Sequence, residues 1–240
     1  MSLLSVEQLH KSFTTGLWGA SKVLNDVSFE IAEGKITGFI GANGSGKTTT
    51  IKCIFDLIHA DSGTIRFWNN QSISSAVKMQ IGFLPERPHL YDFLTASETL
   101  KYFYNIHSIA GDFNQLQEQA LKDVGLIDAK DKTVKSFSKG MQQRLGLAIL
   151  LIKKPRFLIL DEPMSGLDPE GRGMIKRIIK NLNAKGITIL FSTHIMSDII
   201  ELCDDLIVIQ KGKIVYRTNN ARAVRETDLM PFFDAESGNV

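Results

Sequence analysis

Gly41-Ala42-Asn43-Gly44-Ser45-Gly46-Lys47-Thr48 sets glycines, a lysine and a hydroxyl at the spacing of a phosphate-binding loop. Glycines let the backbone wrap closely around phosphate oxygens, and successive N–H groups converge as an anion nest. A helix beginning at Lys47 adds the positive end of its dipole. Lys47 supplies a point charge for the β- and γ-phosphates, and the Thr48 hydroxyl is placed to ligate Mg²⁺. The candidate phosphate-binding residues are Gly41, Asn43, Gly44, Ser45, Gly46, Lys47, Thr48 and Thr49. A plain glycine turn is the bland reading; the apolar run before the loop and the helix after it argue against that.

The second constellation is Phe157-Leu158-Ile159-Leu160-Asp161-Glu162. The apolar residues read as a buried strand whose C-terminal edge presents two adjacent carboxylates, where ligands bind in open α/β sheets. Asp161 would hold Mg²⁺ directly or through water. Glu162 would polarise an attacking water as general base, worth ~10²- to 10⁴-fold in rate.

Short apolar runs alternating with helical patterns must position these groups. Val23 to Ile31 reads as a strand ending at the Glu33-Gly34 turn, and Ile36 to Ile40 as a buried strand. A helix is expected from Lys47 to about His59, and a strand from Thr64 to Trp68. Thr95 and Glu98 form a capping box before a helix carrying Leu100, Phe103 and Tyr104. Leu116, Ala120, Leu121 and Val124 make a helical face stopped by Gly125, and a further helix spans about Lys139 to Ile152. Later come a stripe of Ile175, Ile178, Ile179 and Leu182, the run Ile187 to Phe191, and a hairpin turning at Lys211-Gly212. The expected division is an α/β core over 1–87 and 155–218, a helical subdomain over 88–154, and a tail over 219–240 that is a small helix or a loose end.

Composition narrows the classes. The chain has 240 residues, 43% hydrophobic and 22% charged, which is globular usage rather than disorder. A net charge of +2, with basic residues scattered, gives no basis for nucleic-acid binding. No apolar run approaches the ~20 residues of a membrane span, and no signal peptide is evident. A soluble, cytoplasmic protein is expected. Cys53 and Cys203 lie far apart without a second ligand pair and read as buried small hydrophobes.

Three further segments resemble the ABC ATPase family. Phe137-Ser138-Lys139-Gly140-Met141 is similar to its signature, Ser165-Gly166-Leu167-Asp168 to its D-loop, and Ser192-Thr193-His194 to its switch-histidine loop. The motifs follow the family's order, and the resemblance covers Leu3 to Tyr216. It implies an α/β fold: a P-loop NTPase core with a mostly parallel sheet, an N-terminal antiparallel β part and a helical subdomain insertion. It further implies an ATPase, with ATP and Mg²⁺ as cofactors, that energises a separate integral membrane permease. The chain would then sit on the inner face of the cell membrane through that permease. ATP would lie in a head-to-tail dimer, between one subunit's P-loop and the other's Ser138 and Gly140, with Asp168 of the D-loop also binding. His194 would contact the γ-phosphate. Phe13 resembles the adenine-stacking aromatic, the alternatives being a core phenylalanine or Trp18 in that role.

The sequence departs from the family at three places. Glu86, in Gly82-Phe83-Leu84-Pro85-Glu86, stands where a Q-loop glutamine is usual, and its carboxylate can also ligate Mg²⁺. Lys139 replaces a signature glycine and either pairs with a phosphate or faces water. Met141 replaces the signature glutamine. The same departures resemble a subgroup serving exporter-type permeases. Tyr91 and Phe93, after the Q-loop, either face the permease or pack a hinge. The competing readings are a soluble ABC ATPase acting on ribosomes or DNA, a P-loop kinase or GTPase, and a weakly active half of a heterodimeric transporter.

Overall fold

The computed structural model describes residues 2–15 and 19–234. Trp18 lies outside them. The chain divides into two compact units, Met1–Lys78 with Thr188–Val240, and Met79–Ile187. The first opens on β1 (Ser2–Thr15) and β2 (Gly19–Ala32), paired antiparallel. Leu24, Val27, Phe29 and Ile31 of β2 are buried while Ser28 and Glu30 are exposed, the alternation of a strand with one face on a core. Between the pairs Lys11↔Leu24 and Leu9↔Val27, β2 carries one extra residue, and Asp26 (φ 62) sits in this bulge.

β3 (Ile36–Ile40) is buried at every residue. α1 (Lys47–Ile54) is shorter than the helix expected to reach His59. Asp56 turns left-handed (φ 56), and the Leu57 N–H donates back to the Lys52 carbonyl at 2.9 Å, which closes the helix. β4 (Ser62–Phe67) pairs with β1 and completes a three-stranded sheet, β2-β1-β4. Trp68 does not extend the strand as expected. It starts a single 3₁₀ turn, because Asn69 and Asn70 take positive φ, and its ring packs edge-on against Phe67 at 5.8 Å. α2 (Ser75–Gln80), not foreseen from the sequence, follows.

In the second unit, β5 (Ile81–Leu84) and β6 (Phe157–Leu160) pair in parallel from Ile81↔Phe157 to Leu84↔Leu160. Between them come α3 (Ala96–Ile106), α4 (Phe113–Asp123) and α5 (Lys139–Leu151), and after them α6 (Pro169–Ala184). Each of these helices starts on a side-chain cap. Thr95 and Glu98 form the expected reciprocal box, and Asp112, Ser138 and Asp168 each accept from a backbone N–H three residues on. Gly125 (φ 65) and Gly186 (φ 90) stand just past the ends of α4 and α6, where a left-handed residue closes a helix.

The chain then returns to the first unit as β7 (Thr188–Thr193), α7 (Met196–Leu202), β8 (Asp205–Gln210) and β9 (Lys213–Thr218). β7-β3-β8 are parallel and β9 is antiparallel on β8. β7, like β3, is buried throughout, as parallel strands covered on both faces must be. Lys211 (φ 47) and Gly212 (φ 72) make the expected two-residue hairpin turn. The tail forms two single-turn helices, α8 (Glu226–Leu229) and α9 (Pro231–Asp234). It docks through the Gln210 amide, which donates to the Phe232 carbonyl at 2.9 Å. Cys53 and Cys203 are buried as expected; burial pushes the Cys53 thiol up to about 11 and the Cys203 thiol well above its ordinary value. Among the described residues, no helix is long and apolar enough to cross a membrane.

Candidate functional site

In the first unit, β3 delivers the glycine-rich loop and α1 receives it. Gly46 sits at φ 110, a conformation that favours glycine, and a Cβ there would meet Leu24 Cδ2 at 2.9 Å. A Cβ on Gly41 would fall 2.3 Å from the Ile209 carbonyl. These glycines let the loop turn tightly against β2 and β8. Lys47, only 5% exposed, bends back into the loop and its Nζ donates to the carbonyls of Gly41 (2.6 Å) and Ala42 (3.1 Å). No side chain caps α1, and the buried Ser45 hydroxyl has no hydrogen-bond partner. A folded-back ammonium, an uncapped helix start and an orphaned hydroxyl together fit a phosphate group, which would supply acceptors to all three. Asn43, Gly44 and Thr48 are exposed, and Thr49 is half-buried.

The β3–β7 register pairs Ile40 with Thr193. Gly41 and the exposed His194 therefore leave the sheet at the same level. Phe13 is 39% exposed, so it is not a core ring; Lys11 Nζ lies 5.4 Å from its centroid. It pairs with Ser21, two residues before Val23, whose carbonyl lies 3.3 Å from a Cβ built on Gly46. The strand end carrying Phe13 thus runs toward the loop.

In the second unit, the Leu84↔Leu160 pair brings Asp161 and Glu162 off β6 at the level where the segment bearing Glu86 leaves β5. Asp161 is 4% exposed, and its N–H donates to the Leu84 carbonyl at 2.8 Å. Glu162 holds φ 48, a backbone that strains a non-glycine residue and concentrates at working sites. Its carbonyl accepts from the Ser165 N–H at 3.0 Å, and the Ser165 hydroxyl donates to Glu86 Oε1, also at 3.0 Å. The sequence pointed to Ser165 as part of a motif but not to this contact, which needs the fold to be seen.

Ser138 caps α5 and Asp168 caps α6, accepting at 3.3 Å and 3.0 Å from Met141 and Gly171. Both helix starts, with Gly140, line one cavity of about 330 Å³. A backbone N–H and a hydroxyl at such a start can receive an anion. Sequence reasoning also missed Gln143, which is 2% exposed with neither amide atom hydrogen-bonded, and which lines a second cavity with Glu86 and Lys139.

As for metal, no group of three or more His, Cys, Asp or Glu could hold an ion among the described residues. Within the second unit Asp161 and Glu86 offer carboxylate oxygens, and within the first Thr48 offers a hydroxyl, donor types that suit a hard cation such as Mg²⁺.

This chain belongs to the ABC transporter family: that family's profile matches residues 24–165. Its domain is the ATP-binding cassette, and cassettes of this family hydrolyse ATP. An ABC transporter ATP-binding protein of Synechocystis sp. is 38% identical over 213 residues, covering 87% of this chain. The chain spans only 60% of that relative's length. The lantibiotic transport ATP-binding protein SrtF of Streptococcus pyogenes is 37% identical over 217 residues, covering 89% of each chain. Among solved structures, cbiO1 from Clostridium perfringens, part of the ABC transporter complex cbiONQ, superimposes with a TM-score of 0.82 at 25% identity, over 98% of this chain and 95% of its own.

Proposed function

We propose that the chain is the ATP-hydrolysing subunit of an ABC transporter, working as a head-to-tail dimer on a separate integral membrane permease, most simply an exporter. The observation that carries the reading is the folded-back Lys47 in an uncapped, glycine-lined loop, with His194 leaving the paired strand beside it. Gly41 to Thr49 bind the phosphates, Phe13 stacks on the adenine, and Ser138, Gly140 and Asp168 receive the nucleotide held by the second subunit. Thr48, Asp161 and Glu86 would hold Mg²⁺, which neutralises phosphate charge when bound.

Water attacks the γ-phosphorus, the bond to the β,γ-bridging oxygen breaks, and ADP leaves. Glu162 takes the water's proton; Lys47 and His194 stabilise charge on the transferred group. Loss of the γ-phosphate releases the dimer, an order-and-release switch.

Partner docking is supported by an aromatic patch that sequence reasoning saw only in part. Tyr91, Phe93 and Tyr102 are 46%, 76% and 38% exposed, with Tyr91 5.7 Å from Phe93 and 5.5 Å from Tyr102. Exposed aromatics of this kind suit an interface better than a packed hinge. Such docking would hold the chain on the inner face of the membrane. The kinship with SrtF, named for lantibiotic transport, supports a transport role.

The test is a pull-down of tagged Glu162→Gln protein from gently solubilised cells with ATP and Mg²⁺, read by mass spectrometry. Recovery of a multi-span membrane protein is expected, and its loss in Phe93→Ala would assign the docking patch. Ribosomal or DNA-repair proteins without a membrane partner would replace this reading with that of a soluble ABC ATPase.

A further inference from the structure

Two of the three family departures meet at the same dipeptide. Glu86 accepts from the Ser165 hydroxyl at 3.0 Å. The next residue, Gly166, has φ 64, and a Cβ built on it would lie 2.5 Å from Lys139 Nζ, 3.7 Å from Cε and 3.9 Å from Cδ. The lysine therefore lies over the glycine, and a side chain at residue 166 would push its ammonium aside. Glu86 and Lys139 also line one cavity of about 270 Å³, together with the buried carboxamide of Gln143.

Lys139 opens α5, and no acidic residue stands in that helix's first turn. A cation at a helix N-terminus opposes the dipole, which favours carboxylates near it. Glu86 shares the cavity of about 270 Å³ with Lys139, while Asp168 and Glu170 line the cavity of about 330 Å³ with it. The charge Glu86 brings where glutamine is usual, and the charge Lys139 brings where glycine is usual, have opposite signs. Both residues are exposed, and what joins them is the dipeptide each one contacts. Both act on Ser165-Gly166, whose Ser165 N–H holds the Glu162 carbonyl.

We propose that Glu86 and Lys139 are coupled positioning residues: together they fix Ser165-Gly166 and, through the Ser165 N–H, the strained backbone of Glu162. Neither touches the reacting atoms in this role. The proposal rests on the ATPase reading for its kinetic arm only.

The experiment compares Glu86→Gln, Lys139→Met, Lys139→Arg and the double variant Glu86→Gln/Lys139→Met in the full chain. Amide hydrogen exchange over residues 162–171 is read first, because it needs no activity. Each charge-removing single variant should speed exchange there several-fold; the double variant should exchange more slowly than the two single effects predict, and Lys139→Arg should match wild type. In the kinetic arm, kcat for ATP should fall about 10-fold in each single variant, with KM within about 2-fold. The double variant should lose far less than the product of the singles. Exchange unchanged in all variants, or single effects that add, would overturn the coupling. A raised Mg²⁺ requirement in Glu86→Gln, with no change in exchange, would overturn it in favour of metal ligation. A wild-type chain with no ATPase activity but the expected exchange pattern would sink the proposed function and leave the positioning proposal standing.

Discussion

Ile40 and Thr193 are direct partners in the parallel β3–β7 ladder, so that the phosphate loop and His194 start from adjacent points on the same sheet edge. Their relative position is set by backbone hydrogen bonds of two fully buried strands. Substitutions at the site should therefore change its chemistry without moving its frame.

Lys47→Ala should weaken ATP binding about 10- to 100-fold, the scale of a lost charge-assisted contact. Titration with a fluorescent ATP analogue checks this, and an unchanged Kd would rule out the phosphate role of the loop.

Glu162→Gln should keep ATP affinity and lower kcat about 10²- to 10⁴-fold, as for loss of a general base. Size exclusion with ATP and Mg²⁺ should show a stable dimer. A variant turning over at the wild-type rate would remove Glu162 from the mechanism.

Gly46→Ala should destabilise the fold by about 1–3 kcal/mol, since alanine must enter a left-handed backbone and its methyl meets Leu24 at 2.9 Å. Thermal unfolding should record a fall of about 2–4 °C per kcal/mol for a chain of this size.

His107 is held below its ordinary value, first by burial and then by the charge of Lys153. The unfolded chain therefore binds this proton more readily than the folded one, and the contribution to stability falls as pH drops below about 6.5. His107→Phe should flatten the dependence of Tm on pH between about 5 and 7. A slope identical to wild type would show that another group carries it.

Much of this was legible in the sequence because it is encoded locally. The loop from Gly41 to Thr48, the buried run before Asp161 and the Thr95–Glu98 box depend on residues within a few positions of one another, and each formed where its pattern lay. The end of α1 was misjudged because Leu57 and Ile58 continue an apolar pattern, while Asp56 closes the helix through its backbone conformation. Trp68 has strand-forming character, but the left-handed Asn69 and Asn70 behind it turn the chain. The Glu86–Ser165 contact and the burial of Gln143 join residues far apart in sequence, so no periodicity announces them.

The left-handed backbone of Glu162 has an evolutionary consequence. Glycine would relax that position by about 1 kcal/mol or more, yet it would delete the carboxylate. On the proposed base role of Glu162, the robustness that glycine would add at residue 162 would come with loss of turnover. A lineage that kept the fold while shedding catalysis, as a partner half in a mixed dimer could, would be free to drift to glycine or asparagine there. If Glu162 is the base proposed above, the identity of this one residue would record whether selection still acts on turnover.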